Sequence, residues 1–121
     1  MRLRRRLQVG LKAYIAGKIS GDKQYVDKFN KAADRLRAKG CTVVNPATLP
    51  EGMEKDDYMR ICLAMIDCCD IVVALPDAMQ SGGAKVEIAY CNYIEKPVVG
   101  YESIDYLFFN KGGEKKCRKN G

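Results

Sequence analysis

The stretch "DIVVALPDAMQSGGAKVEIAY", residues 70–90, joins a continuous apolar, β-branched run to a loop containing a serine and two glycines, and then to a helical pattern. Runs like "DIVVAL" (70–75) have the composition of strands buried on both faces of a parallel sheet. Three others share that character: "AYIAG" (13–17), "CTVVN" (41–45) and "PVVGY" (97–101). Helical periodicity fills the gaps. Tyr25, Phe29, Ala32, Ala33 and Leu36 fall at i, i+4, i+7, i+8 and i+11, one apolar stripe on a helix ending near Gly40. Asp56 or Asp57 can cap a second helix running to about Cys68, with Ile61, Met65 and Ile66 turned inward. A third starts at or near Ser81 and offers Val86, Tyr90, Tyr93 and Ile94 for packing before Pro97 opens the next strand.

The order βαβαβαβ requires right-handed crossovers and so predicts an α/β, flavodoxin-like doubly wound parallel sheet. The expected strand order is 2-1-3-4, with three main helices and "YLFFN" (106–110) as a candidate fifth strand. At 121 residues and 47% hydrophobic the chain fits one domain. Its net charge of +6 is concentrated at the ends, because residues 13–110 carry 11 Lys/Arg against 14 Asp/Glu. Residues 1–11 and 111–121 therefore read as basic flexible tails flanking a domain at 12–110. Nucleic-acid binding by these tails ranks low, since no aromatic residues are interleaved with the charges.

Six cysteines show no CxxC spacing and the chain has no histidine, so no metal site and no cofactor are expected. Acid–base or nucleophilic chemistry then falls to Asp, Glu, Tyr, Lys, Ser or Cys. Nothing resembles a secretory signal or a membrane span, and a cytoplasmic protein with reduced thiols is expected.

In a doubly wound sheet, ligands bind beyond the strand carboxyl ends where the strand order reverses. Two loops should meet there: "GKISGD" (17–22) and "PDAMQSGG" (76–83). Each contains two glycines and a serine and precedes a helix, an arrangement suited to an anion such as phosphate. Glu87 follows near the start of the third helix, whose positive end favours an ionised carboxylate. The residues alone leave two readings of it open, a solvent-facing helix-start glutamate and a carboxylate facing a sugar carbon.

These segments resemble the nucleoside 2-deoxyribosyltransferase-like family, which includes the deoxynucleoside 5'-monophosphate N-glycosidases. The likeness runs from about Lys12 to Tyr101 and rests on "YIAGKISG", "VVNPATLPEG", "DDYMRICLAMIDCCDIVVALPD" and "SGGAKVEIAYCNYIEKPVV" in that order. It implies cleavage of the N-glycosidic bond of a (deoxy)nucleoside or its 5'-monophosphate, by hydrolysis or transfer to another base. Glu87 occupies the family nucleophile's place and Tyr14 that of a tyrosine lying against it; a core strand aromatic is the other reading of Tyr14. Gly17, Ser20, Gly21, Ser81, Gly82 and Gly83 match the loops that hold phosphate or sugar hydroxyls. Cys62 stands where family members carry a base-side aspartate, so Asp77 becomes the candidate proton donor, with Asp56, Asp57 and Asp67 behind it and a plain turn residue as the other reading of Asp77. The resemblance also implies a homo-oligomer, with Tyr90, Tyr93 and Phe108 as interface candidates or core residues. An alternative from another class keeps the pocket as a non-catalytic nucleotide sensor or sequestering protein. A phosphoribohydrolase with a "PGGxGT" loop is disfavoured, because that loop's Pro and Thr are absent.

Overall fold

The computed structural model describes residues 10–107. Four parallel strands, β1 (Lys12–Ala16), β2 (Thr42–Val44), β3 (Ile71–Ala74) and β4 (Val98–Gly100), form one sheet in the order β2-β1-β3-β4. The predicted 2-1-3-4 order is the observed one. Register is set by pairs such as Tyr14 with Val44 on one side and Tyr14 with Val72 on the other. The connecting helices are α1 (Tyr25–Ala38), α2 (Lys55–Asp67) and α3 (Gly82–Tyr93), followed by a short α4 (Ile104–Leu107). Tyr106 and Leu107, assigned to the candidate fifth strand, are thus helical; the rest of that segment, with Phe108, lies outside the described residues.

Period-two alternation divides the core between the sheet faces. Ala13, Ile15, Ile71 and Val73 pack with Phe29, Ala32, Ala33 and Leu36 of α1 and with Ile104. Tyr14, Ala16 and Val72 point the other way, into a cluster with Cys62 and Ile66 of α2 and Ala84 and Cys91 of α3. Leu11 is also buried in the first cluster, so the folded unit begins before the 12–110 boundary drawn from charge alone. A basic run in sequence does not stop its last apolar neighbour from entering the core.

The α1 stripe packs as its periodicity predicts, although Tyr25 at its start is only half-buried. The other helices depart from expectation by part of a turn. Glu54 occupies the N-cap position of α2 without a side-chain capping bond, and Asp56 and Asp57 lie in the helix's first turn, paired with Arg60. Its buried positions are Cys62 and Ile66, while Ile61 is exposed. On α3, Val86, Tyr93 and Ile94 are exposed, and the buried set is Ala84, Glu87 and Cys91. A carboxylate has taken an inward position that hydrophobicity would give to valine. Hydrophobic pattern alone could not reveal this, because the pattern treats every charge as solvated. Tyr90 is half-buried and its hydroxyl donates to Asp67 at 2.6 Å. Among the described residues, no helix is long and apolar enough to cross a membrane.

Candidate active site

β1 lies between β2 and β3, so the crossovers leave a crevice above their carboxyl ends. A cavity of about 790 Å³ occupies it. Its walls come from the loop after β1 (Gly17, Ser20), the loop after β2 (Pro46, Leu49), the start of α2 and the entrance of α3. Ser81 caps α3, its Oγ accepting from the Ala84 N–H at 3.1 Å, and Gly82 and Gly83 follow without side chains to obstruct the approach. A Cβ at Gly82 would meet nothing within 4 Å, so this position is bare for access rather than for packing. Gly17 differs. A Cβ there would come within 2.7 Å of the buried Leu75 side chain, so its glycine is needed for the loop to lie down on β3's end. Gly21 has φ +80 and makes the turn back toward α1, outside the cavity wall.

Glu87 sits on the cavity wall and is only 7% exposed. The Tyr14 hydroxyl, from the centre of the sheet, donates to its Oε2 at 3.1 Å. The two residues are 73 positions apart in sequence, and β1 and α3 bring them together. Tyr14 is fully buried in the core, and its hydroxyl still meets the carboxylate. Cys62, from α2, lies on the same cavity wall and in the same buried cluster as Tyr14. Glu87 lies past the first turn of α3, beyond the reach of most of the helix-end field. Burial therefore dominates and pushes its carboxyl up to about 7, with the Tyr14 and Cys62 hydrogen bonds acting the other way. The preference of the helix end for an ionised carboxylate is thus outweighed by burial. Burial likewise pushes the Cys62 thiol up to about 11 and the Tyr14 phenol well above its ordinary value, with the Glu87 charge adding to both.

Asp77 does not face the cavity. Its Oδ1 accepts from the Lys18 N–H at 3.1 Å and its Oδ2 pairs with Lys28 of α1. The Lys28 ammonium also pairs with Asp22 and donates to the Lys18 carbonyl at 2.9 Å. Desolvation opposes the Lys28 charge, but the Asp22 and Asp77 carboxylates together outweigh it and raise Lys28, while Asp22 is lowered first by its bond to Lys28. Asp77 is thus a strut tying together the two glycine-containing loops, not a proton donor to the cavity. Asp67 lies at the far end of α2, leading to the amino end of β3, and Asp56 and Asp57 are exposed. Replacing Lys28 by Met should speed amide exchange in both loops, 17–22 and 76–81, by about tenfold, as expected when a shared tie is lost from a low-stability region. Unchanged protection in either loop would mean that Lys28 does not tie it.

Tyr25, expected only as part of the α1 apolar stripe, also lines the cavity, as do Lys18, Glu51, Lys55, Tyr58 and Met59, which no sequence motif marked as site residues. The loop after β2 carried the available signal, since any loop at a strand's carboxyl end beside the switch point belongs to the crevice. Tyr58 anchors that loop, its hydroxyl donating to the Pro50 carbonyl at 2.5 Å.

The chain belongs to the family described as a domain of unknown function, DUF4406, whose model matches residues 11–100. Among solved structures it is similar to a 2-deoxyribosyltransferase from the psychrotolerant bacterium Bacillus psychrosaccharolyticus. The two share 24% sequence identity with a TM-score of 0.59, over 74% of this chain and 70% of that one. At this identity the likeness establishes a common fold. No curated protein matches the chain.

Proposed function

We propose that the protein cleaves the N-glycosidic bond of a nucleoside or nucleoside 5'-monophosphate, with Glu87 as nucleophile. The observation that carries this reading is the buried Glu87 carboxylate, bonded by Tyr14 and opening on a cavity large enough for such a substrate. A glutamate placed for solvation would not be buried at the carboxyl end of a doubly wound sheet. The fold shared with a 2-deoxyribosyltransferase supports the same class of chemistry.

In this reading the sugar or its phosphate rests against Ser20 and the Ser81–Gly83 entrance of α3, where unpaired N–H groups favour an anion. The Glu87 anion attacks C1' as the base leaves, giving a glycosyl ester on the carboxylate. Tyr14 orients the carboxylate and stabilises its charge. Water or a second base then takes the sugar and returns Glu87 to its anionic state. The test is chromatographic detection of free base from a panel of nucleosides and 5'-monophosphates, with the native protein and with Glu87→Gln. Release that survives the substitution excludes Glu87 as nucleophile.

One observation favours a second reading, a nucleotide-binding protein without catalysis: the thiol of Cys62 is a poor proton donor for a leaving base. Tight nucleotide binding with no base released from any member of the panel would select it.

A further inference from the structure

The surroundings of Glu87 specify a kind of leaving group. A neutral nucleoside base departs poorly as an anion and usually needs a proton on its ring as the bond to C1' breaks, a contribution worth about 10²- to 10⁴-fold. That proton must come from the base side, whereas the nucleophile approaches the opposite face of the sugar carbon. Among the described residues, the carboxylic acids near the crevice and Tyr14 are placed elsewhere or otherwise engaged. Asp77 is bound to the Lys18 N–H and Lys28 outside the cavity. Asp56 and Asp57 pair with Arg60 on the exposed face of α2. Tyr14 is fully buried behind Glu87 and spends its proton on that carboxylate. Glu51 is solvent-exposed at the rim. Cys62, which lines the cavity from α2, is a thiol.

The cavity lining also carries groups that attract positive charge. Tyr25, Tyr58, Glu51 and Glu87 all lie there, and aromatic rings with carboxylates are a combination that attracts a flat cation. Lys18 and Lys55, also on the lining, provide countercharge for an anionic end of the same molecule.

From this arrangement, and resting on the glycosidase reading above, we infer that the preferred substrates are N-glycosides of a cationic ring, such as a pyridinium or an N7-alkylated purinium. Their base leaves without a proton. The C1'–N electron pair goes to the ring nitrogen and cancels its charge, while Glu87 forms the new bond to C1'. Water then attacks C1', the sugar gains a hydroxyl, one proton passes to solvent and the Glu87 carboxylate is restored. The burial that pushes Glu87 up to about 7 also suits an encounter with a cation, which favours the ionised nucleophile as it binds.

The experiment compares base release from nicotinamide riboside and 7-methylguanosine with release from guanosine and 2'-deoxyguanosine, each also as its 5'-monophosphate. The cationic probes should exceed the neutral ones in kcat/KM by about 10²-fold or more, and their pH profile should rise to a plateau with no descending limb, because no general acid is needed. Cys62→Asp should raise kcat/KM for guanosine and narrow the gap. Comparable kcat/KM for neutral and cationic probes in the native protein, or a bell-shaped profile on the cationic ones, overturns this inference and leaves the glycosidase reading standing. No release from any probe overturns the glycosidase reading, and this inference with it.

Discussion

Glu87→Gln raises the melting temperature at pH 8 by about 5 °C while abolishing base release. The two effects share a cause. Folding removes the Glu87 carboxyl from water and lifts it from its ordinary 4.5 to about 7, so the folded chain binds a proton there more tightly than the unfolded chain does. This group's contribution to stability is fully present below pH 4.5 and is lost as pH rises through about 7, a change of about 3 kcal/mol at most. Glutamine has nearly the same shape, can still accept from Tyr14, and carries no charge to desolvate. The variant should therefore gain stability over the native protein at pH 8 and show almost no advantage at pH 4. Loss of the only nucleophile in the proposed reaction should reduce turnover by about 10³-fold or more, since no other group supplies the covalent route. Equal melting temperatures for the two proteins at pH 8 would mean that the carboxylate is solvated after all.

The second large effect is on pH dependence. If Glu87 must be ionised to attack, kcat/KM in the free enzyme follows its titration. Activity should then fall by about tenfold for each pH unit below 7, or roughly a hundredfold between pH 7 and pH 5, and level off above neutrality. The position of that midpoint depends on Tyr14, whose hydroxyl donates to the charged form. Tyr14→Phe removes the donor and should move the midpoint to higher pH by about one unit, because a hydrogen bond to a charged group is worth roughly that much. A midpoint near 4.5, or one that Tyr14→Phe leaves in place, would separate the observed activity from this pair.

The architecture was legible in the sequence because its signals are local and redundant. Four β-branched runs at crossover spacing admit few arrangements, and handedness reduces them to the observed 2-1-3-4 order. The α1 stripe was legible because Phe29, Ala32, Ala33 and Leu36 repeat on one face with no charged competitor among them. The inward faces of α2 and α3 were not, because at each the decisive residue is one that periodicity discounts: Cys62 in place of Ile61, and Glu87 in place of Val86. The segment from 106 shows the same limit. "YLFF" has strand composition, but Tyr106 and Leu107 fall in a helical turn that begins with the buried Ile104.

The candidate site was legible to the level of its two loops and its glutamate, since glycines, serines and a carboxylate at the carboxyl end of a parallel sheet can be placed from topology. What each group does there was not. The sequence by itself determined the sheet, its strand order and the crevice that the order opens. Only the tertiary structure decided that Glu87 is buried and pushed toward neutrality, that Asp77 turns away to Lys28, and that Cys62 shares the cavity wall with Glu87. The reason is physical: strand order follows from short-range propensity and chain handedness, whereas the charge state of a group depends on desolvation and on partners that only folding brings within a few ångströms.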